Sequence, residues 1–264
     1  MAYVSSGGLR IFYDVAGRAG APPLVLVHGY TASGRTNWEL SGWVDALGKQ
    51  YRLLIPDLRG HGRSEKPHKP EAYSISAMAQ DVLACMDAEG VERAIVFGYS
   101  MGGMITLELL LNHPDRVSAA IIGGMGSQFP DRGRRRGPRQ DEPGAEPPPP
   151  KAPRRGIGFL AAYLRHYDAL ASRAVWNGVF KGSPAPVDSS RLGEIRVPVL
   201  CAAGMRDALY PGVKALVRQV PGARLEAFSG RGHIGTVNDP RFKKVVLEFL
   251  AEVAADQETP TLAT

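Results

Sequence analysis

"VFGYSMGG", residues 96–103, sets a serine between two glycines directly after an apolar run. Upstream, "AIVFG" is β-branched, aromatic and bounded by glycine. Downstream, "MGGMITLELLLNHPD" places apolar residues at helical spacing. Ser100 therefore stands at a strand-to-helix turn. A serine at such a turn is held in a strained backbone with its hydroxyl above the sheet edge, and Gly98, Gly102 and Gly103 remove side chains that would collide there. The helix start beneath it supplies free N–H groups and partial positive charge, useful where an oxyanion develops. The pentapeptide alone fits a plain Gly/Ser turn equally well, so its surroundings decide.

The surroundings alternate. "RIFYDVA", "PLVLVHG", "RLLIPD", "AIVFGYS" and "SAAIIGG" read as strands between residues 9 and 123. Most lack polar alternation, as expected of strands covered on both faces. "SISAMAQDVLACMDAEG" reads as a helix with Ser74 as N-cap and Gly90 as stop. Strands alternating with helices imply a parallel sheet with right-handed crossovers. The pattern breaks at "QFPDRGRRRGPRQDEPGAEPPPPKAPRRG" (128–156), which has too little apolar surface to offset its ordering entropy. "IGFLAAYLRHYDALASRAVWNGVF" (157–180) follows as one or two packed helices. The alternation resumes at Val197 with "VPVLCAAG" and "ARLEAFSG", and ends in the helix "PRFKKVVLEFLAEVAA". Residues 1–124 and 191–255 thus form one core, 125–190 an insertion, and 256–264 a frayed tail.

Composition excludes several classes. The 264 residues suffice for a sizeable core without disulfides or metals. Cys85 and Cys201 lie in no paired or metal-ligand spacing, so neither a disulfide framework nor a metal site is expected. The net charge of +6 suggests nucleic acid, but residues 131–155 alone carry eight Arg/Lys against four Asp/Glu, or +4 of it. That stretch has no interleaved aromatics, so a solvated linker is expected and nucleic acid is not. No secretory signal and no membrane span is apparent, which places the expected chain in the cytoplasm.

Ser100 needs a base. Of six histidines, His113 reads as a helix cap, and His68 and His166 as solvated. His233, in "GRGHIGTVNDP", lies in a glycine-bracketed loop after the last strand, where a parallel sheet presents reactive groups. Asp207, in "VPVLCAAGMRDALYP", follows a buried strand by a few residues. It can accept the histidine Nδ1–H and stabilise an imidazolium. A helix-capping role is the simpler alternative for it. The order Ser100, Asp207, His233 is the one expected when nucleophile, acid and base come from successive strand ends.

With "GYSMGG", "VHGYT" and "PDLRGHGRS" at these positions, the chain resembles the α/β-hydrolase superfamily outside residues 125–190, within its serine carboxylesterase, enol-lactonase and perhydrolase-like branch. The resemblance implies an α/β fold with a mostly parallel central sheet, helices on both faces and a small lid insertion. It implies oxyanion-hole N–H groups from Tyr30 and Met101, a loop-ordering role for His28, and a glycine-rich loop stabilised by Asp57, Arg59, His61 and Ser64. No cofactor or metal is implied.

Dehalogenases and epoxide hydrolases of this fold carry aspartate at the elbow, so Ser100 points away from them. The expected activity is hydrolysis of a small-molecule carboxylic ester through an acyl-enzyme, by a monomer or homodimer. A carbon–carbon bond hydrolase, a perhydrolase or a ligand-sensing receptor would carry the same motifs. A carbon–carbon hydrolase must also bind an acidic dienoate, and Arg165 and Arg173 stand in no matching pattern. Trp38 near the entrance, with Phe159, Tyr163, Tyr167 and Trp176 in the lid, suggests an apolar or aromatic substrate site.

Overall fold

The computed structural model of the chain describes residues 1–126, 157–181 and 188–258. The expected linker at 128–156 lies outside the described residues. The strands are β1 (Ala2–Ser6), β2 (Leu9–Gly17), β3 (Pro23–Val27), β4 (Arg52–Pro56), β5 (Ala94–Tyr99), β6 (Val117–Gly123), β7 (Val199–Gly204) and β8 (Arg224–Phe228). The helices are α1 (Trp43–Leu47), α2 (Ile75–Ala88), α3 (Met101–Asn112), α4 (Ile157–Leu164), α5 (Ala169–Val175), α6 (Tyr210–Gln219), α7 (His233–Val237) and α8 (Pro240–Glu258). The last helix passes the boundary expected at 256.

The strands form one sheet in the order β1-β2-β4-β3-β5-β6-β7-β8. From β4 to β8 every pairing is parallel. β1–β2 and β2–β4 are antiparallel. β1 was not foreseen. Its hairpin with β2 turns at Gly7 and Gly8, with φ of 55° and 78°. Positive φ at both central residues is the requirement of the tight turn that matches strand twist, and glycine meets it without steric cost.

The parallel strands lack polar alternation because each buries both faces. Val25, Val27, Val96, Ile122 and Cys201 face a core shared with α2, α3 and α6. Leu24, Leu26, Phe97, Ile121 and Leu200 face a second core shared with α1 and α8. Ser74 caps α2 as expected, its hydroxyl accepting Ala77 N–H at 3.0 Å. In the insertion, Ala174, Val175 and Val179 join the first core. Among the described residues no helix is long and apolar enough to cross a membrane.

One expected substrate contact is corrected. Trp38 is fully buried in the second core, its ring 4.7 Å from Phe97 and 6.3 Å from Trp43. The irregular helical turn Arg35–Glu39 directs it beneath the sheet edge and away from the entrance. Trp38→Ala should therefore behave as a core truncation and cost about 3–5 kcal/mol of stability. Urea unfolding measures this; a loss under about 1 kcal/mol with a changed KM would restore Trp38 to the entrance.

Candidate active site

The site lies where the winding of the chain along the sheet reverses. β3 pairs with β4 on one side and β5 on the other, so the chain leaves their C-terminal ends in opposite directions and opens a crevice. The register matches Val27 to Gly98. Two residues on, Gly29 meets Ser100, where a Cβ on Gly29 would lie 3.3 Å from Ser100 Cβ. Ser100 has φ 56° and ψ −116°, the strained geometry expected at the turn. The packing demands small residues around it. A Cβ on Gly98 would sit 2.1 Å from Gly102 O, and one on Gly102 2.1 Å from Val27 O.

His233, the first residue of α7, reaches Ser100 across the end of β6. Its Nε2 lies 2.9 Å from Ser100 Oγ, and its Nδ1 lies 2.7 Å from Asp207 Oδ2. The ring passes over Gly124, where a Cβ would come within 3.0 Å of it. Tyr99 O–H donates to His233 O at 2.6 Å. The loop is closed by Asp239, whose buried carboxylate takes Arg241 and Arg231, each at 2.7 Å. The Arg241 bond holds that carboxyl well below the usual range. Asp207 Oδ2 faces the histidine while Oδ1 accepts Leu209 N–H at 2.9 Å in the turn before α6; the residue at the N-cap of that helix is Leu209, which has no side-chain cap. A side chain that is 3% exposed thus fixes a ring that is 30% exposed.

The backbone donors can be traced through their peptides. Gly103 and Met104 N–H close the first turn of α3 on Ser100 O, at 2.8 and 3.3 Å. Met101 N–H precedes them and has no acceptor within its helix. Tyr30 N–H shares a peptide plane with Gly29 C=O. That carbonyl accepts from Ala32 N at 3.2 Å and from His28 Nδ1 at 2.8 Å. In a trans peptide the N–H then points the opposite way. Asn37 Oδ1 holds the other end by accepting Gly29 N–H at 3.1 Å. Nothing in the sequence pattern singled out Asn37.

The neighbouring residues divide. Asp57 ties two loops by accepting Gly34 and Arg63 N–H, at 2.7 and 2.8 Å. Arg59 does not reach the site: its guanidinium pairs with the buried Asp81 of α2 through two bonds of 2.6 Å. Ser64 bonds Phe12 N–H at 2.8 Å. Trp176 of the insertion lies 5.9 Å from Tyr30, and within the insertion Tyr163 stacks on Tyr167 at 5.2 Å. The Tyr30 hydroxyl donates to Ser172 O at 2.9 Å, a partner no motif indicated. Phe159 is on α4, but its side chain lies outside the described residues.

His28 makes stability pH-dependent. Its Nδ1–H donates to Gly29 O and its Nε2 accepts Leu58 N–H at 3.0 Å, so both bonds need the neutral ring. Burial lowers its pKa to about 4. A lowered folded-state pKa means the unfolded chain takes the proton first. The contribution is complete above about pH 6.5 and is lost as pH falls towards 4. Unfolding free energy should drop by up to about 1.4 kcal/mol per pH unit for this group in that window. Urea unfolding from pH 6.5 to 4.5 should be flatter in His28→Gln; parallel curves would refute the assignment.

Residues 22–132 match the α/β hydrolase fold family. The putative carbamate hydrolase RutD of Azorhizobium caulinodans is 30% identical over 96% of this chain and 99% of its own length. Epoxide hydrolase A of Mycobacterium tuberculosis is 28% identical over 83% of the chain, which spans only 62% of that protein. The solved esterase RhEst1 from Rhodococcus sp. ECU1013 superposes with a TM-score of 0.74 at 27% identity, covering 95% of this chain and 98% of that one. The chain belongs to the α/β hydrolase fold family.

Proposed function

We propose that the protein hydrolyses carboxylic esters through Ser100, with His233 as base and Asp207 as its orienting acid. The observation that carries this is the unbroken chain of 2.9 and 2.7 Å contacts from Ser100 Oγ through His233 to Asp207. His233 takes the serine proton as Oγ attacks the carbonyl, and Asp207 stabilises the imidazolium. Tyr30 and Met101 N–H groups receive the oxyanion. His233 then protonates the leaving alcohol and activates the water that releases the acid. The helices of the insertion serve as lid, with Tyr163, Tyr167 and Trp176 towards the substrate.

Two relatives suggest other electrophiles. A carbamate presents an acyl carbonyl and suits the same steps. An epoxide does not: serine attack would leave an ether, with no carbonyl for water to attack.

Ser100→Ala should lower kcat on p-nitrophenyl esters about 10⁶-fold. His233→Ala should be nearly as damaging, and Asp207→Asn should cost about 10⁴-fold. A phosphonate should label Ser100 alone. An active Ala variant, or labelling elsewhere, would exclude the mechanism. Aryl carbamates in the same assay separate the two acyl classes.

A further inference from the structure

A partly enclosed cavity lies between the loop after β3, the loop after β4, and helices α4 and α5. Thr31, Ser33, Gly60, His61, Tyr163 and Ser172 contribute to its wall. Ser100 does not. Its volume of about 20 Å³ has room for one hydroxyl-sized group.

Three observations at this cavity point to a ligand. First, His61 is only 5% exposed, and Nε2 has no hydrogen-bond partner among the described residues. Nδ1 lies 3.0 Å from Arg59 O. Since a carbonyl only accepts, Nδ1 carries the proton and Nε2 is left as a bare acceptor. Burial lowers this ring's pKa to about 3, so it stays neutral in ordinary buffers. Second, the Tyr163 hydroxyl is buried and has no partner at full hydrogen-bond geometry among the described residues; burial raises its pKa, and the Thr31 side chain beside it is a weak contact that lowers it. Buried polar groups are nearly always paired, so two orphans at one cavity call for an explanation. Third, Thr31 has φ 60°. It is the third residue of a turn closed by Ala32 N to Gly29 O, a position normally filled by glycine or asparagine. A β-branched residue there is strained, and such strain collects at ligand clamps.

We propose that His61 Nε2 and the Tyr163 hydroxyl form a subsite for one hydroxyl group of the substrate, away from the reacting carbonyl. The match is one of chemistry. A hydroxyl gives its proton to His61 and accepts the Tyr163 proton, satisfying both orphans at once. A carboxylate oxygen has no proton for Nε2, and a methyl group satisfies neither. The subsite adjoins the reacting centre through Thr31, the residue after Tyr30. It rests on the ester-hydrolase assignment and narrows the substrate class to hydroxylated esters.

Matched substrates test this. In one pair the hydroxyl is in the acyl half: p-nitrophenyl 6-hydroxyhexanoate against the heptanoate. In the other it is in the alcohol half: 4-hydroxybutyl butanoate against pentyl butanoate. For one pair the hydroxyl-to-methyl ratio of kcat/KM should fall about tenfold in both His61→Leu and Tyr163→Phe. The ratio is internal to each protein, so a partly unfolded variant cannot mimic the effect, and Tyr163→Phe is available if His61→Leu does not fold. An unchanged ratio in both pairs, the result if the cavity holds only water, overturns the proposal. That includes an equal fall for both members of each pair, which marks a structural role. Should wild type turn over none of the four, the ester assignment fails by itself. The subsite is then read from the ¹⁵N resonance of His61 Nε2, which should shift with 1,6-hexanediol and not with 1,6-dimethoxyhexane; no difference refutes it.

Discussion

The parallel pairing of β3 with β5 is the constraint on which the site depends. Because β3 also pairs with β4, the chain turns away in opposite directions at neighbouring strand ends. One gap at the sheet edge is left uncovered. The Val27–Gly98 register then sets which residues face each other across it, and a slip of one residue would turn every side chain of β3 to the other face. Two packed cores hold that register, since Val25 and Leu26 belong to different sides of the sheet. Placement of Ser100 beside the Gly29–Tyr30 peptide is a consequence of core packing.

Around that gap, small polar contacts do the orienting. The Gly29 carbonyl is held by a histidine N–H and a backbone N–H, both neutral donors. The histidine facing Ser100 is held by a carboxylate whose second oxygen is committed to the start of the next helix. These groups are held in place by the fold itself, so their orientation is set before any ligand arrives.

Much of this was legible in the sequence because it is written in strand ends and glycines. "GYSMGG" locates the turn through the steric needs of Gly98 and Gly102, and the order of Ser100, Asp207 and His233 follows the strand order. Other parts were missed for physical reasons. The β1–β2 hairpin has a clear turn signal in Gly7-Gly8, but β1 is a short edge strand exposed on alternate residues, and it carries no apolar run. Trp38 reads as an entrance residue in the sequence, but an irregular helical turn sends it into the core. Asn37 acts through its side-chain oxygen and Ser172 through its carbonyl and hydroxyl, and a lone Asn or Ser has no spacing to betray it. The orphaned nitrogen of His61 is a fact of three-dimensional accounting that linear pattern cannot supply.

The bond between the Tyr30 hydroxyl and Ser172 joins the sheet-edge loop to the inserted helices. One end of that tyrosine is a side chain under the insertion; the other is a main-chain N–H beside Ser100. A shift of α5 would therefore act one residue away from the N–H beside Ser100. The boundary between core and insertion is thus not neutral. A chimera that brings a foreign insertion without a hydroxyl or carbonyl at this point would leave the tyrosine ring unanchored and blur an otherwise intact centre.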